Sequence, residues 1–157
     1  MNDKLRNMLR RRKARFEVIT HPEVYTAPER AAACGITGRR LAKVVVVRDG
    51  AWFGLAVLPA AAYVDFDQLR TLTGRPQLTL AREGEVASLF PDCEPGAMPP
   101  FGRLYGLTVF LDISLVEEPE LVFEAGTHRE EIRMPMDEYL RLEEPALASL
   151  AAVPPAA

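Results

Sequence analysis

The chain has 157 residues, 48% hydrophobic and 26% charged. That is the composition of one soluble globular domain, long enough to bury about 68–70% of its unfolded surface. No apolar run approaches the roughly 18–20 residues a membrane helix needs, and the basic N-terminus lacks the apolar stretch of a secretory signal, so the cytoplasm is the expected compartment and no membrane partner is expected. The net charge of −3 hides an asymmetry: Lys4, Arg6, Arg10, Arg11, Arg12, Lys13 and Arg15 give seven cations in twelve residues, whereas ten acids stand against three arginines from Glu117 to Glu144. A basic arm on an acidic domain can make a local phosphate contact; a solvated first helix rich in arginine is the plainer reading. An Arg-rich start also resembles an organelle presequence, against which Asp3 and the scarcity of Ser and Thr both count.

In chain order, Leu5, Met8 and Leu9 give residues 4–12 the buried stripe of a helix. Phe16–Ile19 reads as a short strand. Thr26-Ala-Pro-Glu29 is a helix start, with Thr26 as N-cap and Glu29 at the reciprocal capping-box position; Gly35 supplies the left-handed stop. Val44–Val47, the Asp49-Gly50 turn and Ala51–Leu58 form a hairpin, and four consecutive valines predict a strand buried on both faces. Asp65 caps a helix ending before Gly74. Gln77–Ala81 reads as a strand, Glu83–Phe90 as a helix and Leu107–Leu111 as a buried strand. Leu121–Glu124 and Glu130–Met134 pair across Gly126-Thr127-His128, and Pro135–Leu142 is the last helix. The sum is an α/β (α+β) single domain, a mixed central sheet of about six or seven strands surrounded by helices. Residues 1–15 form its basic helix or arm, 16–145 the domain proper, and 146–157 an Ala/Pro-rich tail expected to fray.

Phe90–Gly102, FPDCEPGAMPPFG, holds four of the 13 prolines. Proline fixes φ and removes donors, while glycine permits positive φ and close approach of a ligand, so the loop is either a corner or a preformed site. Lys43 opens the valine strand, where an ammonium either snorkels to solvent or faces an anion. His21 and His128 are the only histidines; His21 precedes Pro22 and shapes the turn before the capped helix, while His128 sits in a tight turn where site residues are common. Cys93 with a histidine is the minimal pattern for a thiol nucleophile, but Asp92 and Glu94 beside it oppose thiolate formation. Cys34 reads as a small buried hydrophobe. Two lone cysteines and two histidines give neither a disulfide framework nor a zinc shell, so no metal is expected. The phosphate-loop and dinucleotide fingerprints are absent, which disfavours nucleotide cofactor chemistry, and no cofactor is expected.

Three stretches, Thr20-His-Pro-Glu-Val-Tyr-Thr-Ala27, Gly38-Arg-Arg-Leu-Ala-Lys43 leading into the valines, and Glu94-Pro-Gly-Ala-Met-Pro-Pro-Phe-Gly102, together resemble the YbaK / prolyl-tRNA synthetase editing-domain family of aminoacyl-tRNA deacylases. The likeness runs from about Phe16 to Leu142, and Gly126-Thr-His128 falls where several members place a pocket histidine. It implies hydrolysis of the ester that joins a mischarged amino acid to the terminal ribose of tRNA, with the ribose 2′-hydroxyl assisting and no protein nucleophile. It also implies a free-standing, trans-acting member, because the chain has no room for synthetase domains. Lys43 matches the family lysine, which would contact the 3′-terminal adenosine or its phosphate. The Gly96, Ala97 and Met98 backbone N–H groups would serve the carbonyl or ribose, with Pro100 stiffening their loop. Leu41, Val44, Pro100, Gly102, Asp112 and His128 are the expected pocket residues, Asp112 by strand position alone. Arg10, Arg11, Arg12 and Lys13 would meet the acceptor end of the aminoacyl-tRNA, and an aminoacyl-tRNA synthetase is a further candidate partner. Alanine-clearing members often have Asn after the lysine and cysteine-clearing members Thr; here it is Val44. The apolar walls of Leu41, Val44 and Met98 suit a small amino acid such as Ala, Ser, Thr or Cys, with tRNA-Pro one candidate carrier. The alternative is a non-catalytic module of the same fold that binds an aminoacyl or nucleotide ligand or a synthetase.

Overall fold

The structure, a computed structural model, describes residues 1–152. The elements are α1 (Asp3–Arg11), β1 (Glu17–Thr20), α2 (Ala27–Cys34), β2 (Ala42–Asp49), β3 (Trp52–Pro59), β4 (Tyr63–Val64), α3 (Phe66–Thr73), β5 (Thr79–Leu80), α4 (Glu83–Leu89), a 3-10 turn (Gly102–Tyr105), β6 (Thr108–Asp112), α5 (Ile113–Val116), β7 (Glu120–Glu124), β8 (Glu130–Pro135), α6 (Met136–Glu143), β9 (Ala146–Ala148) and β10 (Ala151–Ala152). A five-stranded mixed sheet runs β5-β2-β3-β6-β9, a three-stranded antiparallel sheet runs β1-β8-β7, and β10 pairs with β4. A lone parallel bridge between Leu41 and Val122 joins the two larger sheets. The fold is thus the expected single α+β domain with a mixed central sheet.

Local chemistry accounts for most of these elements. Thr26 and Glu29 make the reciprocal capping box of α2, which ends at Gly35 with φ +65°. Asp49 pairs with Trp52, so the two turn residues are Gly50 and Ala51, one position beyond the expected Asp49-Gly50, and β2 and β3 zip in register back to Ala42 and Pro59. α1 buries Leu5, Met8 and Leu9, so the basic segment is a docked amphipathic helix. The central sheet carries a core on each face. Ala42, Val46, Leu55 and Val57 pack with α1, Met98, Phe101 and the β7–β8 sheet, while Val47, Ala56 and Leu58 pack with Leu69, Leu78 and Leu150.

Two expectations change. The valine strand is buried on both faces only at its far end: Val46 and Val47 are buried, whereas Val44 and Val45 are half-exposed. The cause is the shortness of β5, which pairs with Val47 and Arg48 alone. The tail does not fray where it is described. β9 runs parallel to β6 from Phe110–Ala146 to Asp112–Ala148, and β10 pairs with Tyr63 and Val64. Alanines carry no strand pattern, and these are ordered by their partners. Residues 153–157 lie outside the described residues.

Candidate active site

The site begins at the unpaired edge of β2. In an extended strand the backbone polar groups of alternate residues point to the same side. Val46 accepts a hydrogen bond from the Ala81 N–H at 3.0 Å and Ala42 from the Arg30 guanidinium at 3.1 Å. Val44, between them, therefore aims its N–H and carbonyl at the same open side. A cleft of about 830 Å³ follows this edge, walled by Val44, Val45, Val86, Phe90, Pro95, Gly96 and Met98. It touches both faces of β2, since Val45 and Val44 point opposite ways.

The far wall is the stiff loop. The Ala97 N–H donates to the Glu94 carbonyl at 3.0 Å, and Gly96 has φ +85°. With Pro95 ahead of Gly96, this is a type II turn, whose third residue needs positive φ. The Ala97 N–H is thereby spent inside the turn, which removes it from the three expected donors. The N–H groups of Gly96 and Met98 have no intramolecular acceptor among the described residues, and both residues line the cleft. The turn is pinned to the β7–β8 connection: Glu94 N–H donates to Gly126 O at 2.8 Å, Gly126 N–H to Ala97 O at 2.9 Å, and His128 N–H to the Glu94 carboxylate at 2.9 Å.

His128 packs its ring against that of Tyr25, centroids 4.7 Å apart. Its Nδ1 lies 2.7 Å from Glu124 Oε2 and its Nε2 2.7 Å from the Pro95 carbonyl. Burial alone would lower its pKa, but the Pro95 carbonyl and the Glu124 and Glu94 carboxylates outweigh it and raise the value above the ordinary one. Burial likewise raises the Glu124 carboxyl, against the pull of Arg30 and His128. The two shifts describe one coupled pair. A carbonyl only accepts, so Nε2 carries a hydrogen, and a single further proton is shared between Nδ1 and Glu124.

The other expected site residues distribute unevenly. Lys43 shares the sheet face of Val45 rather than of Met98; its Nζ lies 5.3 Å from the centre of the exposed Tyr63 ring, and burial lowers its pKa. The lysine and the loop thus flank the open edge from opposite faces. Leu41 is fully buried and forms the inter-sheet bridge. Pro100 accepts from the Tyr139 hydroxyl at 2.7 Å. Gly102 is needed for close approach, since a Cβ there would stand 2.4 Å from the Leu107 carbonyl oxygen. Leu41, Pro100 and Gly102 are scaffold, outside the cleft wall. Asp112 is removed from the pocket as well: its carboxylate caps α5 through the Ser114 N–H and hydroxyl and accepts from the N–H groups of Leu150 and Ala151 at 2.9 and 3.0 Å.

Cys93 contacts Asn2, Asp92 and Tyr105, and burial pushes its thiol up to about 11, while both ring nitrogens of His128 are engaged elsewhere. Cys93 and His128 therefore do not form a nucleophile–base pair. His21, Cys34 and Glu131 offer ligand atoms within 4.8 Å of one another, and the Arg30 guanidinium, 2.6 Å from the other oxygen of Glu131, already balances the charge of that carboxylate.

Arg10, Arg11, Arg12 and Lys13 are exposed and, among the described residues, have no acidic partner, whereas Arg6 pairs with Asp3 and Arg15 with Asp137 and Glu138. Lys4, Arg10, Arg11 and Arg103 surround a shallow depression. Lys4 lies 4.7 Å over the Tyr105 ring, which in turn packs at a tilt of 51° against Phe90 of the cleft wall, centroids 4.4 Å apart. The basic surface therefore leads to the cleft rim. No described helix is long and apolar enough to cross a membrane.

Sequence reasoning missed Tyr25, Arg30, Glu124 and Glu131. The available signal was charge at positions the periodicity assigned to the core: an arginine among the alanines of α2 and glutamates within β7 and β8.

Fold, open-edge cleft and Gly/Pro loop define a single α+β domain with a candidate site along the free edge of β2. Residues 21–142 match the family model of the aminoacyl-tRNA editing domain, and the chain belongs to that family. Among solved structures, it is similar to a proposed trans-editing enzyme for prolyl tRNA synthetase, at 27% identity and a TM-score of 0.85 over 95% of each chain. It also resembles a protein from a study that grafted linear epitopes onto scaffolds, at 25% identity and a TM-score of 0.84 over 95% of each chain. The hypothetical protein APE2540 shares the fold at 19% identity and a TM-score of 0.85, over 96% of this chain and all of that one. No curated protein matches the sequence.

Proposed function

We propose that this protein is a trans-acting deacylase that hydrolyses the ester of a mischarged aminoacyl-tRNA carrying a small amino acid. The observation that carries the reading is the cleft at the open β2 edge, with the unspent N–H groups of Gly96 and Met98 in its wall. Water attack on the ester carbon makes a new C–O bond and leaves negative charge on the carbonyl oxygen. Fixed N–H donors stabilise that charge without reorganising. As the ester bond breaks, the ribose 3′-oxygen takes a proton and leaves, giving free amino acid and uncharged tRNA. The neighbouring 2′-hydroxyl positions the water, so the chain need supply no nucleophile.

The side chain of the amino acid lies against Val44, Val86 and Met98, walls without hydrogen-bonding groups that suit Ala, Ser, Thr or Cys by size. Lys43 and Tyr63 receive the terminal adenosine from the other side of the edge, the ring stacking on the base and the ammonium meeting its phosphate. Arg10, Arg11, Arg12 and Lys13 contact the acceptor stem, and a prolyl-tRNA synthetase is the partner the similar protein suggests. The test is deacylation of tRNAs charged with Ala, Ser, Thr, Cys and an aromatic amino acid. Turnover confined to the small set, and lost in Lys43→Ala, supports the reading. No turnover on any of them, or turnover on the aromatic substrate alone, refutes it.

A further inference from the structure

The interior holds a run of charged groups that ester hydrolysis leaves unused. Arg30 is 3% exposed. Its guanidinium donates to Glu131 at 2.6 Å and to the Ala42 carbonyl at 3.1 Å, and it lies 3.6 Å from Glu124. Glu124 meets His128 Nδ1, and His128 Nε2 donates to the Pro95 carbonyl. Beyond Glu131, His21 Nε2 stands 2.9 Å away. The run therefore ends at three backbone carbonyls: that of Pro22, 2.7 Å from His21 Nδ1, that of Ala42 just before Lys43, and that of Pro95 just before Gly96.

We propose that Arg30, Glu124 and His128 are positioning residues that set the direction of the Pro95–Gly96 peptide and hold the loop in register with the open edge of β2. The peptide is planar and trans, so its carbonyl and its N–H point opposite ways. By gripping the Pro95 oxygen, His128 aims the Gly96 N–H away from itself, and this is one of the two unspent donors of the cleft. A type II turn can exchange with type I by rotating this one peptide, which reverses both groups. His128 holds the first form. Glu124 orients the ring and Arg30 orients Glu124, while the same guanidinium holds the start of β2. What the N–H is aimed at, a developing oxyanion, rests on the deacylase reading; the aiming itself does not.

The device is sensitive to pH. The charged and titratable groups around the His128 ring are Glu124 from β7, Glu94 from the loop, Arg30 from α2 behind Glu124, and the Tyr25 hydroxyl. With its shared proton removed, the Glu124 carboxylate faces a lone pair across 2.7 Å, which is repulsive, and the ring turns away. Because the His128 pKa is raised, the latch is complete below the ordinary value of about 6.5 and is lost as pH rises through the higher folded one.

The test follows the ¹⁵N signals of the two histidine rings and the Gly96 amide as pH rises, alongside single-turnover deacylation. In the wild type the Gly96 amide moves with the midpoint of His128, above about 6.5. In His128→Ala and Arg30→Met that movement is gone, and kcat falls by up to about 10²–10³-fold, the scale of one lost oxyanion donor, with little change in KM. His128→Gln offers an N–H near Nε2 that does not titrate; it recovers at least about tenfold of the alanine loss and has no inflection with pH. If Arg30→Met does not fold, Glu124→Gln takes its place with the same expectation. A Gly96 amide blind to the His128 titration, or a glutamine variant no better than alanine, overturns the proposal. If the wild type hydrolyses no aminoacyl-tRNA, the deacylase reading falls and the amide titration alone decides the latch.

Discussion

Gly96→Ala separates two forces on the same peptide. Gly96 sits at φ +85°, and a Cβ built there would meet His128 Cε1 at 3.6 Å, ordinary contact. The cost is therefore conformational rather than steric. An alanine forced to positive φ loses about 1 kcal/mol or slightly more. Rotation of the 95–96 peptide to type I would remove that strain but break the bond from His128 to Pro95, a hydrogen bond from a charged group worth roughly 1.5–3 kcal/mol. The hydrogen bond outweighs the strain, so the variant keeps the turn and is less stable by about 1 kcal/mol, a fall in Tm of about 2–4 °C for a domain of this size. In a His128→Ala background the restraint is absent, the peptide rotates, and the same substitution costs only a few tenths of a kcal/mol. Urea unfolding of the four proteins of this cycle measures the coupling. Additivity within about 0.5 kcal/mol, the ordinary behaviour of independent sites, refutes the reasoning. Gly84→Ala is the control: it lies within α4 with nothing within 4 Å of an added Cβ, and it should stabilise by about 0.5–1 kcal/mol.

Three further outcomes are expected. Cys93→Ala should deacylate at the wild-type rate, and the Cys93 thiol, pushed up to about 11 by burial, should react slowly with iodoacetamide at pH 7; an inactive variant would restore a thiol mechanism. Glu143, buried beside the N–H of Arg103, has its carboxyl raised to about 8. The stability this contributes is complete below the unfolded value of about 4.3 and is lost as pH climbs towards 8, so Glu143→Gln, which can still accept from Arg103, should flatten stability between pH 5 and 8 and gain on the order of 3 kcal/mol at its upper end. Converting Arg10, Arg11, Arg12 and Lys13 to Ser should weaken tRNA binding and lower its salt slope by up to about 0.7–0.9 per lost phosphate contact; an unchanged slope makes α1 a structural helix only.

The elements legible in the sequence are those whose cause is local. Thr26 and Glu29 announce a capping box that needs no tertiary partner, and Asp49-Gly50 with its flanking apolar runs announces a hairpin, although the turn itself falls one residue later, at Gly50 and Ala51. What stayed hidden depends on lengths and on distant groups. Four valines say that a strand is buried, but the exposure of Val44 follows from β5 stopping at two residues. Pro95-Gly96 says turn, but not that the turn consumes the Ala97 N–H. Asp112 looked like a pocket carboxylate because it ends a buried strand, yet the same position lets it cap α5 and tie down Leu150. Glu124 and His128 lie four residues apart in the β7–β8 hairpin, but Arg30 comes from α2 and Pro95 from the loop, and no spacing rule links these to the hairpin pair.

The loop that dominates the sequence is stiff for a reason its prolines explain only in part. Pro95 fixes one φ and Gly96 permits the other, but both residues are compatible with a peptide plane turned either way. Buried ion pairs are weak instruments of stability, since apolar residues of similar volume often serve as well. A buried guanidinium hydrogen-bonded to a strand carbonyl on one side, and ion-paired at 3.6 Å with Glu124, which reaches a loop carbonyl through His128, supplies what apolar packing does not, namely direction. On this view the charge buried around Arg30 is maintained for the orientation of one peptide group, and the chemistry of the cleft depends on which way that group points.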